Sequence, residues 1–565
     1  MSAILKGDLK ARPDGVAQGG SARAEIFTIV PSHKVPAPAS EWIAGDGLGP
    51  LPSSRIYAEG FQMLSVQEGT VENRIFQGRC PDDALPYRHN PRQGSVREAY
   101  GVVAFENAAG GFTLLGFTTC NSAQGRFLID ASSCSITLSL MVSDGQGRIA
   151  DDALKGEGFC QIAAPALEEA LALYASLAGS GRGAGSKPPM GWCSWYSRYE
   201  KVTEDYVKDS LEVLKSFPEL ECVLIDDGYQ EHMGDWLSFS GKFPRGLDGI
   251  CSDIHSASRI PGIWLAPMIA SGASRLAHEH PEWLARGPNG EIANASDLTY
   301  GGWRDLPWHT LDYGKAEVRQ WMRDTVHELR HKYGIRLFKL DSLYWGAYEG
   351  LSFSTPMTGV MNLRLALKAI RDGAGDDSFI LGCNAPLWAC NGLVDGMRVS
   401  DDAARSATVF AANSRACALR SWMNRKLWIN DPDCLLLCDL GDQRASEGEY
   451  AFHLGSILAS DGIFMSGDDL TAMSKERLDL LHRASAVAAA PRQVRWSGDF
   501  SRAEILLENT GRAMTVAINR GRESMDFDLP SGTDFMSLRK IGGTISIPPL
   551  CGVVSEHSAK GAIEQ

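Results

Sequence analysis

Short apolar runs alternate with longer amphipathic runs from residue 190 to about residue 490. Each apolar run ends in polar or aromatic side chains, and the longer runs between them place their apolar positions on one helical face. Strands alternating with helices in this way predict consecutive βαβ units. We therefore expect an α/β fold, a (β/α)8 TIM barrel over residues 186–492. Its eight strands are predicted to start at Met190, Cys222, Gly262, Phe338, Phe379, Gly396, Leu427 and Gly462.

The predicted barrel helices carry start and stop signals. Thr203, followed by two acidic residues, is a favourable N-cap for the first barrel helix. The helical pattern of residues 318–333 ends at Gly334, and glycine commonly terminates helices. A last barrel helix is predicted from Lys475 to Ala490.

The segments on either side of the barrel are predicted to be β domains. Residues 1–185 contain short alternating runs separated by Gly, Asn, Ser and Pro, which is typical of a β-sandwich. This domain is predicted to end in a helix over Ala164–Leu177 and a Gly/Ser/Pro linker over Ala178–Pro189. Residues 493–565 predict a small C-terminal β domain, which we expect to be a second sandwich. The clearest predicted strands are Tyr100–Phe105, Phe112–Phe117, Ala503–Leu507, Met514–Ile518 and Thr544–Ile547.

Composition limits the classes of function. The net charge of −14 argues against nucleic acid or an anionic membrane as a partner, because both attract clustered basic residues. No apolar run reaches the roughly 18 residues of a membrane span, and the first residues do not resemble a signal peptide. The 13 cysteines are scattered, and several lie in apolar runs, which favours buried thiols in a reducing cytoplasm. No cysteine spacing suits zinc, so we expect no metal and no organic cofactor.

Charged residues collect at the carboxyl ends of the predicted strands. Lys339 and Asp341 are two positions apart in an otherwise apolar strand and therefore share one face. In a parallel barrel this end carries catalytic side chains, although a purely structural Lys–Asp pair is the alternative. Six of the eight strand ends carry an aspartate or lie within one or two residues of one. Burying so many like charges without a ligand is unfavourable, so the rim predicts a binding site.

Two chemistries suit a rim rich in carboxylates. One is a divalent metal held by Asp226, Asp227 and Asp341, and the other is glycoside hydrolysis. Tryptophans at the same rim favour the second, because indole faces stack on sugar rings while carboxylates accept hydrogen bonds from hydroxyls. These tryptophans are Trp192, Trp195, Trp236 and Trp264.

Five motifs occur in a fixed order along the barrel: Gly191–Tyr196, Ile225–Tyr229, Gly234–Trp236, Lys339–Asp341 and Arg398-xxx-Asp402. Together they resemble the α-galactosidases of glycoside hydrolase family 36 and its clan, most of all the compact prokaryotic members. The resemblance is strong over about residues 190–490. The order of β domain, barrel and β domain agrees over the whole length.

The resemblance implies an enzyme that removes terminal α-linked galactose from short galactosides through a covalent glycosyl-enzyme intermediate. It implies Asp341 as the nucleophile and Asp402 as the general acid/base. It also implies that Asp226 and Asp227 hold the 4- and 6-hydroxyls of the sugar. The other residues implied to line the sugar site are Lys339, Cys383 and Arg398, with Trp195 and Trp264 as aromatic walls.

The residue types suit this chemistry. A retaining glycosidase uses two carboxyl groups about 5 Å apart, one ionised and one protonated. Lys339 can favour the ionised form of Asp341. Asp401 favours the protonated form of its neighbour Asp402 and Arg398 the ionised form, and the sequence leaves that balance open. Adjacent carboxylates placed for the axial 4-hydroxyl of galactose would be left partly unpaired by glucose.

Departures from the family pattern keep alternatives open. Tyr229 stands where the family often has Trp, the acid/base segment reads Ser400–Asp402 instead of Ser-Asp-Asn, and the loop 286–310 is individual. The alternatives on the same fold are galactosyl transfer and an α-N-acetylgalactosaminidase. An aldolase-type Schiff base on Lys339 and a sugar-binding protein without turnover are further alternatives. The resemblance implies a small α-galactoside as the substrate, and it leaves open whether the protein forms a homo-oligomer.

Overall fold

The structure is a computed structural model that describes residues 4–7, 9–31, 39–43, 49–77, 96–130, 132–142, 156–179, 182–183, 185, 187–297, 300–348 and 350–559. Parts of two predicted features fall outside these ranges, namely residues 180, 181, 184 and 186 of the linker and residues 298 and 299 of the loop 286–310. No helix in the described ranges has the length and apolar character needed to cross a membrane.

Two antiparallel sheets precede the barrel, one of five strands and one of eight. Trp42 and Phe127 from the first sheet pack in one apolar core with Phe27 and Leu115 from the second, which is the predicted sandwich. The strands are β1 (Ile4–Gly7), β2 (Leu9–Gly19), β3 (Ala22–Pro31), β4 (Ala39–Ile43), β5 (Ile56–Glu59), β6 (Val66–Gly69), β7 (Arg74–Gln77), β8 (Val96–Tyr100), β9 (Val102–Glu106), β10 (Phe112–Phe117), β11 (Gln124–Asp130), β12 (Ser135–Met141) and β13 (Glu157–Ala164).

The predicted strand Tyr100–Phe105 is divided between the two sheets. β8 ends at Tyr100 in the five-stranded sheet, and β9 begins at Val102 in the eight-stranded sheet. Gly101 between them has a φ of +72°, and a Cβ atom there would overlap the indole of Trp388 from the barrel. Trp388 Nε1 also donates to the Tyr100 carbonyl oxygen at 2.9 Å. Gly101 therefore allows the chain to pass from the five-stranded to the eight-stranded sheet at a point where the sandwich contacts the barrel.

Eight parallel strands form the barrel, as the sequence predicts. β14 pairs with both β15 and β23, and the Ile463 N–H donates to the Asn430 carbonyl oxygen at 2.9 Å between the two end strands of the sheet. The barrel strands are β14 (Met190–Cys193), β15 (Cys222–Ile225), β16 (Ile260–Leu265), β19 (Leu337–Leu340), β20 (Phe379–Gly382), β21 (Gly396–Arg398), β22 (Ile429–Asp431) and β23 (Phe464–Ser466). Between β16 and β19, the strands β17 (Ile269–Ser271) and β18 (Trp308–Thr310) form a separate antiparallel pair.

The helices agree with the sequence signals. Thr203 accepts a hydrogen bond from the Tyr206 N–H at 3.2 Å, and Gly334 has a φ of +70° beyond the end of α6. The helices are α1 (Leu167–Ala178), α2 (Trp195–Arg198), α3 (Glu204–Leu214), α4 (Gly246–Ser256), α5 (Arg275–Glu279), α6 (Ala316–His331), α7 (Gly359–Ala374), α8 (Leu387–Cys390), α9 (Ala407–Leu419), α10 (Glu447–Ala459) and α11 (Lys475–Ala489). Short 3₁₀ turns cover Tyr199–Lys201, Pro281–Trp283, Ala295–Asp297, Leu343–Gly346 and Ser421–Met423.

The C-terminal region is the predicted β domain, with six antiparallel strands in one hydrogen-bonded order. β27 pairs with β29 only at Thr533 and Asp534, and Phe527, Leu529 and Ile547 pack with Ala517 in a separate apolar cluster. The sandwich expected for this domain stays a prediction. The barrel helix α10 covers the sheet, because Gly455 of that helix lies against Val516 and Val554. An amphipathic sheet needs one apolar partner, and here a helix supplies it. The strands are β24 (Arg492–Trp496), β25 (Arg502–Leu507), β26 (Arg512–Ile518), β27 (Met525–Asp534), β28 (Lys540–Ile547) and β29 (Gly552–Ser558).

A hairpin of the sandwich, residues 60–65 between β5 and β6, reaches the mouth of the barrel. Arg420 and Glu59 are fully buried and form an ion pair, with 2.6 Å between Nη2 and Oε2. Arg420 also donates to the carbonyl oxygens of Met63 at 2.7 Å and Ser65 at 3.0 Å. Leu64 packs with Met63 and Cys383. The N-terminal sheet thus contributes a side chain to the barrel mouth of its own chain.

Candidate active site

A cavity of about 290 Å³ lies at the carboxyl ends of the barrel strands. All of the predicted site residues except Cys383 and Arg398 line it. A larger cleft of about 990 Å³, where the sandwich, the barrel and the C-terminal sheet meet, contains none of them. The lining residues of the smaller cavity are Leu64, Trp195, Asp226, Asp227, Trp264, Tyr300, Trp303, Lys339, Asp341, Tyr344, Asn384 and Asp402.

Asp341 follows β19 and is surrounded by N–H donors. Its Oδ1 accepts from the Ser342 backbone N–H at 2.6 Å and from Asn384 Nδ2 at 2.8 Å. Its Oδ2 accepts from Trp264 Nε1 at 3.1 Å. The Asp341 N–H donates to the Leu265 carbonyl oxygen at 2.7 Å, which fixes the residue on the barrel rim. Three donors from three different residues hold this one carboxyl group in a fixed orientation.

Lys339 forms its ion pair with Asp226. Its Nζ lies 2.8 Å from Asp226 Oδ2, and both side chains are almost completely buried. Burial alone would lower the pKa of Lys339, but the Asp226 carboxylate raises it, and the net shift is well upward. Lys339 is therefore a charged donor at the floor of the cavity. Its pairing differs from the predicted support of Asp341, which comes instead from the indole, amide and backbone N–H groups.

Asp227 is held by side chains from the loop 286–310. Arg304 Nη2 lies 2.6 Å from Asp227 Oδ1, and Arg304 Nε lies 3.1 Å from both carboxylate oxygens. Trp303 Nε1 donates to Asp227 Oδ2 at 2.8 Å, and Gln230 Nε2 donates to Oδ1 at 2.8 Å. Lys339 and Arg304 thus occupy the positions beside Asp226 and Asp227 where a cation would bind. This arrangement favours the sugar interpretation of the rim over the metal alternative.

Asp402 lies on the opposite side of the cavity. Its side chain is 42% exposed, and Arg398 Nη1 donates to its Oδ1 at 3.1 Å. Asp402 lines the cavity, whereas Asp401 turns its Oδ1 back to accept the Asp402 backbone N–H at 2.6 Å. The geometry therefore places Asp402, the residue that the resemblance implies as the acid/base, on the cavity wall, and Asp401 is not among the lining residues.

Arg398 is shared among three carboxylates. Besides Asp402, it contacts Asp431 at 3.1 Å and Asp433 at 2.8 Å, and its guanidinium is 2% exposed. Burial raises the pKa of Asp433 to about 6, and the Arg398 charge opposes that rise. The Tyr196 hydroxyl donates to Asp433. Arg398 consequently lies behind the cavity wall, connecting Asp402 to a buried carboxylate pair.

Tryptophan side chains form much of the cavity wall. Trp264 is 1% exposed and contacts Trp303 edge to face, with 6.1 Å between ring centroids. Trp195 follows β14, is half-buried and packs against Tyr199 at 5.3 Å. These faces and edges suit the apolar face of a sugar ring better than a phosphate or a peptide.

Comparison with known proteins agrees with this geometry. Residues 189–345 match the melibiase family. This segment is a melibiase domain. It contains six of the seven predicted residues that line the cavity, all except Asp402.

Relatives of the melibiase domain include the α-galactosidase Mel36A of Lactobacillus acidophilus, which is 27% identical over 166 residues. That match covers 28% of this chain and only 20% of the length of the relative. The resemblance predicted from the motifs is thereby confirmed, while the activity of the whole chain stays a proposal.

Solved structures show the fold. The α-galactosidase TtGalA of Thermus thermophilus, in complex with p-nitrophenyl α-D-galactopyranoside, is 24% identical and has a TM-score of 0.69. The likeness covers 89% of this chain and 98% of that one. The family 36 α-galactosidase AgaA of Geobacillus stearothermophilus is 12% identical, with a TM-score of 0.62 over 98% of this chain and 87% of that one. The predicted TIM barrel is confirmed.

Several cavity residues have no assigned role in the sequence analysis. Asn384 directly follows Cys383, a predicted lining residue, but the sequence gives no sign of its contact with Asp341. Trp303 belongs to the loop singled out as individual. Leu64 gave no signal, because it reaches the cavity from a separate sheet more than a hundred residues earlier in the chain. The others are Tyr300 and Tyr344.

Proposed function

We propose that the protein hydrolyses α-linked galactosides by a retaining double displacement. The observation that carries this proposal is one cavity lined both by Asp341, which three N–H donors hold, and by the half-exposed Asp402. The melibiase domain and the α-galactosidase names of its relatives support galactose as the sugar.

The two carboxyl groups would divide the reaction between them. In the first step a carboxylate oxygen of Asp341 bonds to the anomeric carbon, and the bond to the leaving oxygen breaks as Asp402 gives that oxygen its proton. In the second step water attacks the same carbon, Asp402 takes the water proton, and the Asp341 carboxylate leaves. The three donors on Asp341 would hold its carboxyl group in position during both steps. Exposure of Asp402 lets it exchange protons with solvent and contact varied leaving groups.

The buried end of the cavity would select the sugar. Asp226 Oδ1 accepts the Asp227 backbone N–H at 2.9 Å and retains a second lone pair, which we assign to the axial 4-hydroxyl. Lys339 beside it is a donor for a neighbouring hydroxyl oxygen. Glucose carries its 4-hydroxyl equatorially and would leave these buried groups unpaired, which is costly. Asp227 is assigned to the side of the sugar that carries C6.

The structure favours hydrolysis over the Schiff-base alternative. A lysine that attacks a carbonyl must lose its proton, and the Asp226 carboxylate raises the pKa of Lys339 instead.

The buried thiols Cys222, Cys383 and Cys434 are free, which supports a proposed location in the reducing cytoplasm.

The test is hydrolysis of 4-nitrophenyl α-D-galactopyranoside against the corresponding α-D-glucopyranoside and N-acetyl-α-D-galactosaminide. We expect kcat/KM for the galactoside to exceed that for the glucoside at least about 100-fold, because the buried polar groups match only the axial hydroxyl. Product analysis with added sugar acceptors separates hydrolysis from galactosyl transfer. Turnover of only another α-glycoside contradicts the sugar assignment, and absence of all turnover contradicts the hydrolase proposal.

A further inference from the structure

Residues 300–308, here called the capping segment, cover Asp227 at the buried end of the cavity. Four N–H groups point at this carboxylate, namely Trp303 Nε1, Gln230 Nε2 and the Nε and Nη2 groups of Arg304, at distances from 2.6 to 3.1 Å. A carboxylate has about four lone-pair sites for hydrogen bonds. Oδ1 accepts from Gln230 and Arg304 Nη2, Oδ2 accepts from Trp303, and Arg304 Nε is shared between the two oxygens at 3.1 Å. Asp227 therefore has little acceptor capacity left for a substrate hydroxyl.

Asp226 differs from its neighbour in this respect. It accepts from Lys339 at 2.8 Å, from the Asp227 backbone N–H at 2.9 Å and, weakly, from Cys193 Sγ at 3.5 Å. Its Oδ1 thus has a single donor among the described residues. Of the two adjacent carboxylates, Asp226 is the one that can still accept a hydrogen bond from a sugar hydroxyl.

The capping segment is firmly tied to the barrel. The Gly272 N–H donates to the Pro307 carbonyl oxygen at 2.7 Å, and Ser271 Oγ donates to the Asp305 carbonyl oxygen at 2.6 Å. Trp308 Nε1 donates to the Arg304 carbonyl oxygen at 2.6 Å. At Gly302, with a φ of +116°, any Cβ atom would overlap the Trp308 ring. These bonds to β17 and within the segment fix Trp303 and Arg304 over Asp227.

The charge of Arg304 is also balanced. It pairs with Asp227 on one side and with Asp305 on the other, and its side chain is 18% exposed. A substrate carboxylate at this point would meet two acidic groups, so the segment does not form an anion site. The indole of Trp303 instead presents an apolar ring to the cavity.

We propose that the enzyme prefers galacto-configured pyranosides that lack the 6-hydroxyl, because the capping segment and Gln230 together already occupy the acceptor sites on Asp227. This inference rests on the proposed function and specifies its substrate class. The 6-hydroxyl of a galactoside would leave water without gaining a hydrogen bond to Asp227, and this loss weakens binding. Two substrate types lack that hydroxyl: β-L-arabinopyranosides, in which C6 is absent, and 6-deoxy-α-D-galactosides, in which C6 is a methyl group.

The test compares kcat/KM for 4-nitrophenyl β-L-arabinopyranoside, 4-nitrophenyl 6-deoxy-α-D-galactopyranoside and 4-nitrophenyl α-D-galactopyranoside. The variants are wild type, Trp303→Phe and, as a matched control, Trp283→Phe. Trp283 lies in the same barrel loop but outside the cavity, stacked on His280 at 3.9 Å. We expect one of the first two substrates to be about tenfold better than the galactoside in wild type. Trp303→Phe frees an acceptor on Asp227 and should shift the ratio toward the galactoside by about tenfold, whereas Trp283→Phe should leave it unchanged.

The outcomes separate cleanly. A higher kcat/KM for the arabinopyranoside than for the 6-deoxy sugar identifies a site closed at C6, and the reverse identifies a methyl group packed on the Trp303 ring. Equal or faster turnover of the galactoside in wild type overturns the inference and leaves the proposed function standing. The same ratio in Trp303→Phe as in wild type also overturns it. Absence of turnover on all three substrates overturns the proposed function itself.

Discussion

The two sides of the cavity hold their carboxylates differently. Asp226 and Asp227 are 2% and 1% exposed, and each is paired with a cation. Asp402, across the cavity, has a side chain that is 42% exposed and shares its arginine with two buried aspartates. In the proposed function the first side recognises the sugar, and the second holds the group that gains and loses a proton. Asp341 lies between them and belongs to neither type, since neutral donors surround it.

Replacing Asp341 by alanine is expected to have the largest effect on this arrangement. Without the carboxylate no glycosyl-enzyme can form, so kcat should fall at least about 10⁴-fold. Azide fits the space left by the carboxylate and should restore turnover of an aryl α-galactoside, giving the β-galactosyl azide. Wild type should gain no rate from azide. An α-azide product, or undiminished activity of the variant, would remove Asp341 from the nucleophile role.

Asp402→Ala should come next, with a loss of about 10²–10⁴ in kcat, since general acid catalysis contributes that much. The loss should be smaller for a dinitrophenyl galactoside, whose leaving oxygen needs no proton. Asp401→Ala is the matched control and should retain most of the activity, because its carboxyl group turns back to the backbone. If Asp401→Ala is the variant that loses activity, the two roles must be exchanged.

The sequence predicts the recognition side better than the proton-exchanging side. Strand ends are short and regular, so period-2 alternation and the apolar runs place Asp226, Lys339 and Asp341 on one rim. The choice between Asp401 and Asp402 depends on a loop conformation that no periodic pattern specifies. The partner of Lys339 likewise depends on which strand lies opposite in the closed barrel.

Features contributed by distant segments escape sequence reasoning altogether. Leu64 reaches the cavity because the buried Glu59–Arg420 pair connects β5 to the barrel, a contact between residues 361 positions apart. Arg304 and Trp303 cover Asp227 through side-chain hydrogen bonds, which composition and spacing do not encode. The strand pattern of the C-terminal domain likewise does not reveal that α10 covers it.

Glu59→Gln tests the support of the proton-exchanging side. Both partners of the Glu59–Arg420 pair are fully buried, so removing one charge leaves the other uncompensated and should lower the free energy of unfolding by about 3–5 kcal/mol. Loosening of the hairpin should also raise KM for aryl galactosides, because Leu64 lines the cavity. Denaturant unfolding and steady-state kinetics measure the two effects.

Glu106→Gln provides the control for that measurement. Glu106 pairs with Arg55 at 3.1 Å on the same sandwich, but the two side chains are 36% and 67% exposed. An exposed ion pair contributes about 0–1 kcal/mol, so this variant should be nearly as stable as wild type. Equal stability losses in the two variants would show that burial of the Glu59 pair has no special role.

The smallest effect, and the sharpest test of the proton-exchanging side, concerns Asp433. Burial raises its pKa to about 6, the charge of Asp402 adds to that rise, and the arginine that the two carboxylates share opposes it. Above pH 6 Asp433 is ionised and helps Asp402 to keep its proton.

Asp433→Asn removes that charge and leaves Arg398 less neutralised, which favours the ionised form of Asp402. The basic limb of the kcat/KM profile should therefore move to lower pH, by about 0.5–1 unit. Asp468→Asn is the control, because burial also raises the pKa of Asp468 to about 6 but its arginine partner is Arg405. A shift to higher pH in Asp433→Asn, or an equal shift in both variants, would mean that the charge of Asp433 has no specific electrostatic effect on Asp402.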